Sequence, residues 1–462
     1  MGSQACGMLL LALAALSASG FAQAQTRPAI ESNRWHEDWS ALADPDLRTQ
    51  PLDDLKYLAL PALDPQAYLS LGANLRERLV TQQEPAFGIG REGDSYLLQR
   101  AQLHADLHFD EHWRAFAQIE DVRAFDRKAP VPTDDNRFDL RLAFLMSEHR
   151  LGDGLLKTRV GRQDFLFDLQ RFVSLRDGPN LRQSFDAIWA DYELEPWRLI
   201  GFLSRPVQYR DDQAFDDRSD RHFVFHTLRL ERHVLGDNEL SGYYSRYELD
   251  DAGFLDASGN ERRDVFDLRF AGKKAGLDWD FEGMWQSGRV GDADVRAWAV
   301  GAKAGYSLAS MKLKPRIGLQ ADAASGDRKA GDGRLQTFNP LFPNGGYYFS
   351  DAGYTGYVNL IHVKPSLTIT PAAPLKLAAA LGLQWRQTAS DAVYVQPDVP
   401  VRGTVGEGGR WTGAYLQLRA DWKINAQLSA AVEGVHYDVG QALRAAGGQD
   451  SDYLGAEFKF AW

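Results

Sequence analysis

The stretch YLGAEFKFAW, Tyr453 to Trp462, decides the fold. Leu454, Ala456, Phe458, Phe460 and Trp462 share one face, while Tyr453, Gly455, Glu457, Lys459 and Ala461 share the other. Successive side chains of a strand point to opposite sides, so this segment has one apolar and one polar wall. An aromatic residue closing such a strand, with no polar tail, is expected of the last strand of an outer-membrane barrel. The alternative is the terminal strand of a soluble sandwich.

Working back along the chain, the same period of two recurs. Leu69, Leu71, Ala73 and Leu75 oppose Ser70, Gly72, Asn74 and Arg76. Leu103, Ala105, Leu107 and Phe109 oppose Gln102, His104, Asp106 and His108. Leu277, Trp279, Phe281 and Trp285 oppose Asp278, Asp280, Glu282 and Gln286, and Leu313, Ile317, Leu319 and Ala321 oppose Lys312, Lys314, Arg316 and Gln320. Alternation over ~10 residues matches a tilted strand crossing a bilayer. About eighteen such segments are predicted. They centre near Leu71, Leu103, Ala117, Leu142, Arg159, Ile188, Ile200, Phe225, Tyr244, Leu268, Phe281, Val300, Ile317, Ile361, Leu381, Leu418, Val432 and Phe458. Short connections (110–112, 195–197, 272–276, 371–374, 423–427) alternate with long ones (125–137, 164–184, 205–220, 324–354, 388–410). A sandwich has no reason to keep that alternation; a barrel with short periplasmic turns and long extracellular loops does. The expected fold is all-β, a transmembrane antiparallel barrel over residues 66–462. A barrel of this size has a water-filled lumen unless something plugs it.

The apolar run Met8–Ala18, followed by small residues Ala22 and Ala24, reads as a secretory signal over 1–24, although no Lys or Arg precedes it. Residues 25–65 are rich in Pro and Asp without alternation and are expected to form a periplasmic N-terminal segment, either plugging the lumen or meeting periplasmic partners. Cys6 is the only cysteine and lies within the signal, which excludes disulfide and thiol chemistry from the remainder. Mean hydropathy is −0.39, and no later stretch reaches the length of an apolar helical span. The net charge of −11 argues against nucleic acid as a partner.

If the apolar faces meet lipid, the opposite faces line the pore. The basic residues assigned to that wall include Arg76, Arg78, Arg100, Arg114, Arg141, Arg159, Arg162, Lys314, Arg316, Lys364, Lys376, Arg386 and Arg419. Asp106, Glu120, Asp139, Asp278, Asp280, Glu282 and Asp421 are the acidic counterparts, and much of the remaining negative charge sits in loops such as 211–220. A mainly basic wall favours anions, with arginine forks matched to carboxylates. The alternative is that these charges pair across neighbouring strands. Enzyme motifs are lacking: no nucleophile elbow, phosphate loop or cysteine cluster. His104 and His108 lie about 13 Å apart on a strand, too far to share a metal. Neither a catalytic residue, a metal ligand nor a cofactor is assigned.

Several stretches resemble the alginate-export family of outer-membrane proteins: Asn33-Arg34-Trp35-His36-Glu37-Asp38-Trp39-Ser40, Leu55-Lys56-Tyr57, and Tyr68-Leu69-Ser70-Leu71-Gly72 followed by Leu75-Arg76-Glu77-Arg78. Further on come Val160-Gly161-Arg162-Gln163, Thr337-Phe338-Asn339-Pro340-Leu341-Phe342-Pro343 and Ser390-Asp391-Ala392-Val393-Tyr394. The resemblance implies a monomeric 18-stranded barrel whose arginine-lined lumen passes an anionic polysaccharide outward. It also implies a gating loop, for which 324–354 with Phe338, Asn339, Pro340 and Phe342 is the candidate. Uptake of small carboxylates or oligouronates, and a loop-based surface enzyme or adhesin, remain as alternatives. Expected partners are the transported anion, outer-membrane lipids and lipopolysaccharide, the barrel-assembly machinery, and periplasmic export proteins.

Overall fold

A computed structural model describes residues 26–234 and 238–462, so the signal expected over 1–24 lies outside the described residues. Within them, eighteen strands long enough to cross a bilayer follow one another. These are β1 (Tyr68–Gln83), β2 (Asp94–His108), β3 (Trp113–Phe125), β4 (Asn136–Leu151), β5 (Gly154–Gln163), β6 (Phe185–Leu194), β7 (Trp197–Gln208), β8 (Phe223–Val234) and β9 (Asn238–Gly253). They continue as β10 (Ser258–Lys274), β11 (Leu277–Val290), β12 (Ala293–Ser307), β13 (Arg316–Ala324), β14 (Leu360–Ala372), β15 (Leu375–Arg386), β16 (Trp411–Lys423), β17 (Leu428–Val439) and β18 (Ser451–Ala461). Every predicted strand centre falls inside one of them. Each strand pairs antiparallel with the next, and β1 pairs with β18 from Asn74↔Ala461 to Gln83↔Asp452, which closes the barrel.

The alternation works as the terminal strand suggests. Leu79, Ile188, Leu268 and Phe458 point outward and are more than half exposed, an apolar belt that lipid covers. Arg76, Arg78 and Glu457 point inward and are buried. Trp462 departs from this parity. Its indole lies 5.0 Å from the Lys56 ammonium and its N–H is buried, so the last side chain turns onto the N-terminal segment instead of the lipid.

Two expectations about the connections need correction. Tight turns at 152–153, 195–196, 275–276 and 373–374 mark one end, and long loops mark the other, except at 254–257 and 291–292. There β9, β10 and β11 run to 16, 17 and 14 residues, beyond the ~9–11 a bilayer needs, so strand pairing continues where a loop was expected. Secondly, β13 begins at Arg316, and Lys312 and Lys314 lie exposed in the 308–315 turn. Pro315 has no N–H for the ladder, and the chain instead makes successive turns in which Met311 N–H donates to Leu308 and Lys314 N–H to Met311. Lys314 is therefore not on the lumen wall.

The wide lumen is partly filled by its own loops. Loop 164–184 and loop 325–359 fold inward and meet in an aromatic cluster that includes Phe172, Phe338, Phe342 and Tyr357. Phe342 N–H donates to the Phe172 carbonyl (2.9 Å), and Gly178 N–H donates to Asn344 Oδ1 (3.2 Å). Asn339 and Pro340 are buried in the same packing. The candidate gate thus sits inside the barrel, joined to a second loop.

Residues 26–57 close in on the mouth at the short-turn end. Trp39, Leu42 and Tyr68 form a small core there. Arg34 donates to the Ala73 carbonyl (3.0 Å), to Asn74 Oδ1 (2.6 Å) and to the Trp462 carbonyl (2.9 Å), with Glu37 as its ion-pair partner. Trp35 reaches further in, donating its indole N–H to Asp164 at the root of loop 164–184 (3.0 Å).

Candidate functional site

A cavity of about 1200 Å³ remains in the lumen, bounded by β9–β18, by β1 and by the two inward loops. Its lining carries ten Lys and Arg side chains against eight Asp and Glu, a small positive excess inside an acidic protein. Where that excess resides depends on which charges are already paired.

Most of the predicted arginines are occupied. Arg76 donates to the Asp177 carbonyl (2.8 Å) and Asn180 Oδ1 (2.9 Å), and Arg100 pairs with the Asp177 carboxylate (2.5 Å). Arg78 pairs with Glu457 (2.6 Å) and donates to the Gly178 carbonyl (2.8 Å). These three staple loop 164–184 to the wall. Burial raises the Asp177 carboxyl, but Arg182, Arg100, Lys459 and Arg76 outweigh it and hold it well below the usual carboxylate range. Arg114 pairs with Asp106 (2.6 Å), Arg141 with Asp164 (2.7 Å) and Arg162 with Asp186 (2.9 Å). Arg159 is sandwiched between the rings of Trp35 (4.1 Å) and Trp189 (4.2 Å). Arg386 donates to the carbonyls of Gly409 (2.6 Å), Thr404 and Glu407, and so folds loop 387–410. Of the predicted arginines only Arg78, Arg316 and Arg419 line the cavity, and of the predicted lysines Lys364 and Lys376 do. Arg316 pairs with Asp278 (2.9 Å), and Arg419 with Asp421 (2.9 Å), Asp351 (3.0 Å) and Glu433 (3.1 Å).

The uncompensated charge lies on lysines. Asp280 stands across from Lys303 in register, yet Arg269 (2.6 Å) and Arg171 (3.3 Å) hold it. Asp421 stands across from Lys376, yet Arg419 holds it. Among the described residues Lys273, Lys303, Lys364 and Lys376 face the cavity without an ion-pair partner, and of these Lys364 donates to the Phe349 carbonyl. The sequence reading missed Lys303 and Arg269, although parity from Val300 and Leu268 puts both on the wet face. It had no means of finding Arg171, Asp177 or Arg182, which reach the lumen on aperiodic loops.

One acidic group lies away from the cavity. Asp139, Asp216 and Asp217 bring carboxylate oxygens within 4.8 Å of one another, and Asp139 accepts the backbone N–H groups of Asp216 (2.8 Å) and Asp217 (3.1 Å). Part of the Asp-rich loop is therefore folded against β4. Burial, with Asp139 nearby, pushes the Asp217 carboxyl up to about 6.

The fold is that of solved outer-membrane porins. The outer membrane protein OpdK of Pseudomonas aeruginosa superposes with a TM-score of 0.55 at 11% identity, covering 85% of this chain and 98% of that one. OpdO of the same organism gives 0.55 at 14% identity, covering 85% and 97%, and OccK8 (OprE) gives 0.55 at 12%, covering 85% and 98%. No curated protein matches the chain. The alginate export family model matches residues 67–457, which span the barrel from β1 into β18. With that match, and with a closed barrel belted by apolar residues, the chain is an outer-membrane channel and belongs to the alginate export family.

Proposed function

We propose that this channel passes an anionic saccharide, a uronate polymer such as alginate, outward across the outer membrane as a monomer, and that the chain itself performs no catalysis. The observation that carries the reading is the set of lysines on the cavity wall without an ion-pair partner, Lys303 and Lys376 among them. A carboxylate moving along the lumen finds the wall arginines already neutralised and exchanges part of its hydration for these ammonium groups. Sites that are few and weak permit release as well as entry, which conduction requires. The outward direction rests on family membership alone.

Reversal potentials of single channels in a planar bilayer test this. The expected result is anion selectivity, block by oligouronates, and a several-fold fall in the chloride-to-potassium permeability ratio in a Lys303→Glu, Lys376→Glu double variant. Cation selectivity in the wild type, unchanged by those substitutions, would sink the proposal.

A second reading, uptake of small carboxylates or oligouronates, draws on the joined loops. Loops 164–184 and 325–359 meet inside the lumen, a constriction suited to small solutes. Liposome swelling that is rapid with monomeric uronates and absent with oligomers would favour it. The surface enzyme or adhesin reading has less to draw on, because these two loops are folded inward.

A further inference from the structure

A cationic wall selects charge, but it does not select sugars. Loop 325–359 brings the cavity a group of another kind. Its helix Gly345–Tyr348 carries two consecutive tyrosines with opposite fates. Tyr348 is buried: Arg171 Nε donates to its hydroxyl (2.8 Å), and that hydroxyl donates to Asp322 (2.6 Å). Tyr347 faces the cavity and is 60% exposed, although it lies within the barrel. Among the described residues no aromatic ring stacks on it and its hydroxyl makes no hydrogen bond. A large ring left bare in a polar channel retains its apolar hydration, which a ligand's apolar face can displace.

The ring is also held firmly in place. Asn344 Oδ1 accepts the Tyr347 N–H (3.3 Å), and Lys364 Nζ donates to the Phe349 carbonyl (2.5 Å). On the other side, Gly346 and Gly178 approach so closely that a Cβ on Gly346 would stand 3.2 Å from the Gly178 Cα. Helix, wall and loop 164–184 are thereby locked together, as a binding platform requires.

We propose that Tyr347 is the stacking platform of a saccharide subsite. The C–H-rich face of a hexuronate ring lies on the phenol, and its carboxylate is drawn to Lys303 and Lys376 on the wall of the same cavity. This rests on the anionic-saccharide reading above and adds to it a recognition of the ring itself. The wall lysines attract any anion, whereas Tyr347 retains pyranose rings, charged or neutral.

The test is single-channel recording on the full chain with three probes: chloride, an oligouronate, and a neutral oligoglucoside. Tyr347→Ala is expected to shorten oligouronate and oligoglucoside blocking events about tenfold and to leave chloride selectivity unchanged. Tyr347→Phe, which keeps the ring, is expected to retain wild-type residence times, and Tyr347→Leu to lose them. Unchanged chloride conductance shows that each variant forms the barrel. If Tyr347→Ala leaves both residence times as they were while anion selectivity persists, the subsite is overturned and the channel reading stands. If the wild type shows neither anion selectivity nor oligouronate block, both are overturned.

Discussion

Lys303 and Lys376 keep their charge free because arginines hold the carboxylates opposite them. The arginines are therefore indirect determinants of selectivity. Arg269→Gln should release Asp280 towards Lys303 and lower the chloride-to-potassium permeability ratio, as reversal potentials would record. Arg78→Glu places a second carboxylate beside Glu457 and is expected to disturb the loop staple more than the selectivity. Lys56 poses a different residue-scale question. Burial, then Arg34, depress its ammonium to about 7, although Glu37 and Asp53 push the other way. Its Nζ donates to the Leu71 carbonyl (2.8 Å) and lies over the Trp39 and Trp462 rings. A lysine whose folded pKa is depressed binds fewer protons folded than unfolded between that value and its ordinary 10.5, so docking strengthens as pH rises through this window. Protection factors for amide exchange in residues 30–60, corrected for the intrinsic rate, should rise between pH 7 and pH 10, and Lys56→Met should flatten that dependence.

At the scale of elements, loop 164–184 is held by cations arranged about a single carboxylate. Asp177→Asn removes the partner of Arg100 and Arg182 and leaves buried cations unpaired, a cost of about 2–3 kcal/mol once partial exposure is allowed for. The expected outcome is a looser constriction, read as greater open-channel noise, together with stronger anion selectivity. The strands and the loops also differ in how far the sequence disclosed them. A strand with one face in lipid must alternate, so all eighteen centres were legible, and so was the side of most charges; Lys314, in a turn, and Arg162, on the outward face of β5 with Val160, are the exceptions. Inward loops obey no period, and nothing in 164–184 or 325–359 announces that they meet. Charge pairing was equally hidden, since Arg78 and Glu457 are brought together only by closure of the barrel. Parity could reveal where the arginines point, but not that most are already engaged.

For the molecule as a whole, the N-terminal segment is connected to both the wall and the inner loops. Trp35 bonds to Asp164, which in turn holds Arg141, and its ring covers Arg159. Trp35→Ala should therefore loosen loop 164–184 from the far end of the lumen, raising conductance without altering residues that line the cavity. Arg34 has a wider consequence. It grips the carbonyl of Ala73 in the first strand and that of Trp462 at the end of the last, two partners that come together only when the seam has closed. Residues 26–57 thus find their seat only once the first and last strands of the barrel have paired. Arg34 acts as a clasp that fastens on a finished barrel, and Arg34→Ala is expected to leave the segment undocked and open to added protease.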